Sequence, residues 1–285
     1  MITTTWPFEH TIAIGLALGL GACGGGGGPQ GGGDDGTGAV CGDGVCDASE
    51  TAASCAADCG GPPPVGMVCT DPTFTTSDPN GGQTIDGYYV HNNMWNCGGM
   101  YTCTETLSAC SYNSFFVIAN ANDDAHDGAV KSFPNVHKDY QAAPAISSFQ
   151  SITTTFAATS PHVGIYDVAY DIWLNGVASA GSNEIMIWTE NFKQVPAGSK
   201  VDAVTLGGQP YDVYRTGDGG YIALVPTQVM LSGSIDLLGM FQYLMSKGFL
   251  AADSTIGQID YGVEIVSTDG SDARFDFTDF SIVEN

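Results

Sequence analysis

Beyond residue 65 the chain is built of short runs in which apolar and polar residues alternate, at 87–90, 115–119, 163–174, 184–188, 211–214, 221–225 and 273–282. Period 2 is the signature of strands, whose successive side chains point to opposite faces. Clusters of Gly, Asn, Asp and Pro separate the runs, so the pattern predicts an all-β sandwich of antiparallel sheets. One segment has helical period instead. Leu237, Leu238, Phe241, Leu244 and Met245 form an apolar stripe, with Ser234 as N-cap, Asp236 in the first turn, and Lys247 and Gly248 closing the helix.

Two runs carry chemistry as well as pattern. In Glu184-Ile185-Met186-Ile187-Trp188 the isoleucines point into packing, while Glu184, Met186 and Trp188 share the other face. A carboxylate beside a thioether and an indole is costly to desolvate without a partner, so this face is expected to be an open cleft. The stretch 260–266 repeats the arrangement, with Val263 and Ile265 inward and Glu264 opposite. Either glutamate alone would read as a solvated strand position. Together, on cleft-facing strands beside aromatics, they suit a glycosidase: one nucleophile, one proton donor.

The segments Asn92-Asn93-Met94-Trp95, Val130-Lys131-Ser132-Phe133-Pro134-Asn135, Tyr170-Asp171-Ile172-Trp173, Glu184-Ile185-Met186-Ile187-Trp188 and Gly262-Val263-Glu264 follow one another in this order. The series resembles glycoside hydrolase family 12, the small endo-β-1,4-glucanases, over residues 69–283. The resemblance implies a β-jelly roll of two curved antiparallel sheets, one helix packed on the convex side, and a substrate cleft across the concave face. It implies Glu184 as nucleophile, Glu264 as general acid/base, and Asp171 as an aspartate hydrogen-bonded to the nucleophile. Asp171 shares a strand face with Asp167 and Trp173. Two close carboxylates cannot both ionise freely, so Asp171 is expected to be protonated when Glu184 is charged. Asn93 and Trp95 match a sugar-binding pair, the amide reading hydroxyls and the indole stacking on glucose. Met186 and Trp188 match the cleft floor, and Tyr214 stands as a further cleft aromatic. Lys131 is expected to anchor a loop rather than touch substrate.

The chain departs from the family pattern at two places. Ile265-Val266 follow Glu264 where members often have Pro and an aromatic, and Asn96-Cys97 follow Trp95 where a Gly is usual. Both lie at cleft edges and bear on substrate preference rather than chemistry. The implied activity is that of a retaining endo-β-1,4-glucanase on cellulose, mixed-linkage β-glucan or xyloglucan, requiring no cofactor. The alternatives are a xylanase of the related jelly-roll family and a non-catalytic carbohydrate-binding protein. A mere binder has no reason to keep Glu184, Asp171 and Glu264 on one face.

Charge narrows the partners. Against 31 acidic residues stand 7 Lys and Arg, a formal net charge of −24. Nucleic acid and anionic membrane surfaces are thereby disfavoured, whereas a neutral β-glucan is indifferent to the charge. The expected enzyme is a monomer that meets a membrane only through a lipid.

That lipid is expected from the N-terminus. An apolar run at 12–20, too short to span a bilayer, ends in Leu20-Gly21-Ala22-Cys23, which matches a bacterial lipobox with Cys23 as the lipidated residue, although Lys and Arg are absent ahead of it. The expected organisation is a lipoprotein signal at 1–23, a Gly-rich tether at 24–40, a small Cys-rich module at 41–59, a Gly/Pro linker at 60–68 and the catalytic jelly roll at 69–285. The protein is expected to be exported, anchored at the cell surface or in the periplasm, or otherwise secreted. Cysteine arithmetic fits this division. Of nine cysteines, removing Cys23 leaves Cys41, Cys46, Cys55 and Cys59 in the module and Cys69, Cys97, Cys103 and Cys110 in the large domain. Both sets can close as disulfides, with connectivity open. A module of about 20 residues buries too little apolar surface to fold without such staples. Its Asp43, Asp47, Glu50 and Asp58 are candidate calcium ligands, though not at EF-hand spacing.

Overall fold

The computed structural model describes residues 66–98 and 101–285. The export signal with Cys23, the tether, the calcium candidates and the module of Cys41, Cys46, Cys55 and Cys59 lie outside the described residues. Within them the strands are β1 (Phe74–Thr76), β2 (Gly82–Ile85), β3 (Tyr88–His91), β4 (Cys103–Ser111), β5 (Ser114–Ala121), β6 (Asn135–Asp139), β7 (Ile152–Thr159) and β8 (Ile165–Leu174). There follow β9 (Asn183–Phe192), β10 (Ser199–Leu206), β11 (Gln209–Arg215), β12 (Tyr221–Pro226) and β13 (Ser232–Asp236). The helix α1 (Leu237–Ser246) precedes β14 (Ile256–Ser267) and β15 (Ala273–Glu284).

The strands form two sheets. One has six strands in the order β1-β4-β5-β15-β7-β13, the other nine in the order β10-β11-β12-β9-β8-β14-β6-β3-β2. Alternation explains the layering. On β8, Tyr166, Val168, Tyr170, Ile172 and Leu174 enter the core between the sheets, and Asp167, Ala169, Asp171 and Trp173 point the other way. Ile185 and Ile187 of β9 and Ile259, Tyr261, Val263 and Ile265 of β14 join the same core. Aromatic rings bridge the layers. Tyr170 and Tyr261 lie with centroids 4.6 Å apart, and Tyr261 meets Phe277 of β15 edge-on at 5.6 Å. Phe156 of β7 meets Tyr170 edge-on at 6.0 Å. Such contacts add to plain area burial and fix the strands that carry the acidic face.

Antiparallel pairing, expected throughout, holds for every other pair of described strands, but β12 and β9 run parallel. The chain leaves β9, re-enters the sheet at its edge as β10, and the β10-β11-β12 meander returns beside β9 in the same direction. The helix begins two residues later than the sequence suggested. Its N-cap is Asp236, whose side chain accepts from Gly239 N, while Ser234 belongs to β13 and extends the sheet. Leu237, Leu238, Met240, Phe241 and Leu244 are buried, and the helix packs against β7. Two disulfides pair Cys69 with Cys110 and Cys97 with Cys103.

One buried acid lies behind the future site. Glu105 of β4 is 4% exposed; its Oε2 accepts from Ser132 Oγ at 2.6 Å, and Oε1 has no partner. Burial pushes this carboxyl from 4.5 up to about 8, the Ser132 bond pulling back against it. Between those pH values the folded protein holds a proton that the unfolded chain has lost, so stability falls as pH rises through the window. Glu105→Gln keeps the shape and an acceptor for Ser132 but has nothing to ionise. Measured by urea unfolding, the variant is expected to gain on the wild type by about 1–3 kcal/mol as pH is raised from about 5 to 8. Parallel pH slopes for the two proteins would contradict the assignment.

Candidate active site

β8 is flanked by β9 and β14, and the registers of the two ladders set the outward face row by row. Trp173 stands opposite Glu184, and Asp171 lies between Met186 and Asp260. Ala169 lies between Trp188 and Gly262, and Asp167 stands opposite Glu264. The two glutamates therefore enter from opposite ends of the stretch 167–173. Burial, and then the charge of Glu264, raise the Glu184 carboxyl. Gly262 is required here: a Cβ would sit 2.2 Å from Pro134 O, and its absence lets the chain entering β6 press against β14 two residues from Glu264.

Exposure divides the acids. Glu184 and Glu264 are half-buried and can be reached, whereas Asp167 is fully buried and Asp171 is 8% exposed. Burial is the leading cause raising all four, and neighbouring carboxyl charge adds to it for Asp167, Asp171 and Glu184. For Asp171 the largest such contribution, after burial, comes from Glu184, followed by Asp260 and Glu264. Among the described residues, none of these four acids is ion-paired with Lys or Arg. Desolvated like charges without a cation cannot all ionise, so their protons leave in separated steps.

The sequence-predicted residues fall into three groups. Glu184, Glu264 and Asp171 share the face as expected. The hydrogen bond that the resemblance implied from Asp171 to Glu184 is not made. Instead Asp171 Oδ2 accepts from Trp173 Nε1 at 3.1 Å, and Oδ1 is left without a partner. Met186 and Trp188 correct the expectation of an open face, since each is 1% exposed. They cluster with Ala169 and Ala223 under Tyr214, Tyr221 and Val225, because the meander folds aromatics over them. They support the floor from below.

Asn93 and Trp95 occupy the loop after β3. Asn93 has φ 44°, its carbonyl accepting from Phe133 N at 3.0 Å, and Trp95 is 60% exposed. Asn96, one of the departures, gives this loop two bonds to the neighbouring segment: its Nδ2 donates to Val130 O and its backbone N to Lys131 O. Lys131 N in turn donates to Ile265 O, next to Glu264. The Lys131 side chain, 0% exposed, is fixed by Asp123 at 3.2 Å and Ala129 O at 2.6 Å, an anchor as expected.

Sequence reading missed Tyr221, Asp260 and His137. Tyr221 pairs with Glu184 across the parallel ladder, and its hydroxyl donates to Met186 Sδ at 3.3 Å. Burial and the charges of Glu264, Asp167, Glu184 and Asp171 keep its phenol protonated. Asp260 lies 3.5 Å from His137 Nδ1, which also meets Asn135 Oδ1 at 2.8 Å. Burial drives His137 down to about 4 and raises Asp260, so neither is readily charged. Period-2 alternation signalled Asp260, but its neighbour on β6 could not be read locally. No group of three or more His, Cys, Asp or Glu among the described residues is arranged to hold a metal ion.

Several known glycoside hydrolases are similar to this chain. Endoglucanase S of Pectobacterium parmentieri is 25% identical over 219 residues, covering 68% of this chain and 81% of that protein. The inactive glycoside hydrolase XLP1 of Phytophthora nicotianae is 26% identical over 70% of the chain and 87% of its own. Xyloglucan-specific endo-β-1,4-glucanase A of Emericella nidulans is 27% identical over 70% and 86%. Among solved structures, the xyloglucanase domain of NopAA from Sinorhizobium fredii, in complex with cellobiose, superposes with a TM-score of 0.62 at 26% identity, over 75% of this chain and all of that one. The family 12 xyloglucanase of Bacillus licheniformis shares the fold, with a TM-score of 0.66 over 74% of this chain and 100% of that one at 21% identity. Residues 86–285 match Glycosyl hydrolase family 12 as a whole, and the chain belongs to that family of glycoside hydrolases.

Proposed function

We propose that the protein is a retaining endo-β-1,4-glucanase acting on a neutral β-glucan, with cellulose, mixed-linkage β-glucan and xyloglucan as the substrates to compare. The observation that carries this reading is the acidic face itself: two reachable glutamates, electrostatically coupled, with two buried aspartates beside them. In the first step the Glu184 carboxylate attacks the anomeric carbon as protonated Glu264 gives its proton to the departing glycosidic oxygen. A glycosyl ester forms and the chain is cut. In the second step Glu264, now a carboxylate, takes a proton from water, whose oxygen displaces Glu184 and releases the sugar with its original anomeric configuration. Asp171 beside Glu184 keeps a proton in the nucleophile's neighbourhood as Glu184 ionises. Trp95, exposed on its loop, is suited to stack on glucose, and the absence of paired cations suits an uncharged polymer. Reducing-sugar release from the three glucans, with xylan as the control, tests the substrate class.

Because one relative is named as inactive, family membership alone does not decide catalysis, and the two glutamates must be tested directly. Glu184→Gln is expected to lose several orders of magnitude in rate with its fold, read by circular dichroism, unchanged. Retention of more than about a tenth of the activity would overturn Glu184 as the nucleophile.

Glu264→Ala has a different signature. With an aryl glycoside whose leaving group needs no proton, the first step survives and the second slows. Added azide is expected to restore turnover and give a β-glycosyl azide. An α product, or rescue of Glu184→Ala in its place, would exchange the roles.

We further propose that the chain is exported and lipidated at Cys23, which keeps the remaining cysteine total even. Mass spectrometry of the mature N-terminus is expected to find acylated Cys23. An unmodified cysteine or another start would refute the anchor.

A further inference from the structure

Asp167 is the most hidden acid on the active face, and the double displacement written above gives it no task. It is 0% exposed, and neither carboxyl oxygen has a hydrogen-bond donor. Facing it are Glu264 directly opposite on β14 and Asn191 directly opposite on β9, whose amide oxygen accepts from Gln194 N, with the charges of Asp171 on its own strand and Glu184 further along β9. Tyr221 of β12 also feels the Asp167 charge, and its hydroxyl donates its hydrogen bond to Met186 Sδ. The basic residue nearest along the chain bordering Glu264, Lys131, is already held by Asp123 and Ala129 O.

Two ionised carboxylates cannot satisfy one another, because each only accepts. A single proton between Asp167 and Glu264 eases both defects at once: one charge disappears, and one of the two orphaned oxygens gains a partner. We infer that Asp167 is a positioning residue for Glu264, the two carboxyls sharing one proton through a hydrogen bond across the β8–β14 ladder. The side-chain electrostatics run in the same sense. Burial and then the Glu264 charge raise Asp167, while the bond from Asp167 lowers Glu264 against the effect of burial.

The catalytic meaning of this doublet rests on Glu264 being the acid/base; its existence does not. The pair enters the first step with two protons; Glu264 releases one to the departing oxygen, and the proton that remains is shared between Asp167 and the carboxylate left behind. When Glu264 takes a proton from water, the pair returns to its doubly protonated form. The face then holds two carboxyl pairs of parallel design, Asp171 serving Glu184 and Asp167 serving Glu264.

The test is a carbon-13 NMR titration of the full protein labelled at the Asp and Glu carboxyl carbons, comparing wild type with Asp167→Asn. In the wild type, the Asp167 and Glu264 signals are each expected to move in two steps at the same two pH values. In D167N, Glu264 is expected to titrate in one step, about one pH unit or more below the wild-type upper step, because the like charge has gone. An unshifted Glu264 overturns the inference. Should D167N fail to fold, the wild-type curves decide alone, since independent single steps for the two carboxyls would overturn it equally. Failure of azide rescue in Glu264→Ala would remove the acid/base reading and leave the doublet standing, so the two claims fail separately.

Discussion

Everything on the active face follows from placing carboxyls out of water with no cation beside them. Asp167, Asp171, Glu184 and Glu264 arise from three adjacent strands, and each strand can hold its acid because its opposite face is apolar. Tyr170 lies in the core between Ala169 and Asp171, and Tyr261 lies between Asp260 and Gly262. Tyr170 and Tyr261 meet at a tilt between β8 and β14, and their edge contacts to Phe156 and Phe277 tie these strands to the opposing sheet. Burying a large aromatic contributes on the order of 2 kcal/mol or more, which offsets part of the cost of desolvating an acid. The core and the chemistry are two faces of the same strands.

The acids also divide by access. A nucleophile and a proton donor must touch substrate, and the two half-buried residues are glutamates, whose extra methylene reaches further from the sheet. The two hidden residues are aspartates, shorter and confined to the backbone's immediate neighbourhood. Their effect is electrostatic: protonated, they remove charge from the site, and ionised, they oppose ionisation of the neighbouring glutamate.

Much of this was legible in the chain. Alternation in 184–188 and 260–266 named the strands and the correct faces, because period 2 is a local property. Other strands escaped, and for a reason. Ile152–Thr159 is rich in threonine and Ser232–Asp236 in serine and glycine, so neither shows a strong apolar beat. Register was the larger gap. Nothing near Asp167 in sequence says that Glu264 will stand opposite it, or that Asp260 will meet His137, since those pairings are fixed by strands far apart in the chain. The burial of Met186 and Trp188 depended on a meander arriving in parallel beside β9, which alternation alone does not reveal.

The loop of Trp95 has a thermodynamic side. An exposed indole ordinarily loses motion when a sugar settles on it, and that loss weakens binding. Here the backbone around it is already fixed. Met94 N donates to Pro79 O, Phe133 N to Asn93 O, and Asn96 holds 130–131 through both its backbone and its amide, while Cys97 is bonded to Cys103. Under the proposed role of Trp95, a backbone ordered before substrate arrives would surrender little of its own conformational entropy on contact, leaving more of a stacking interaction as affinity.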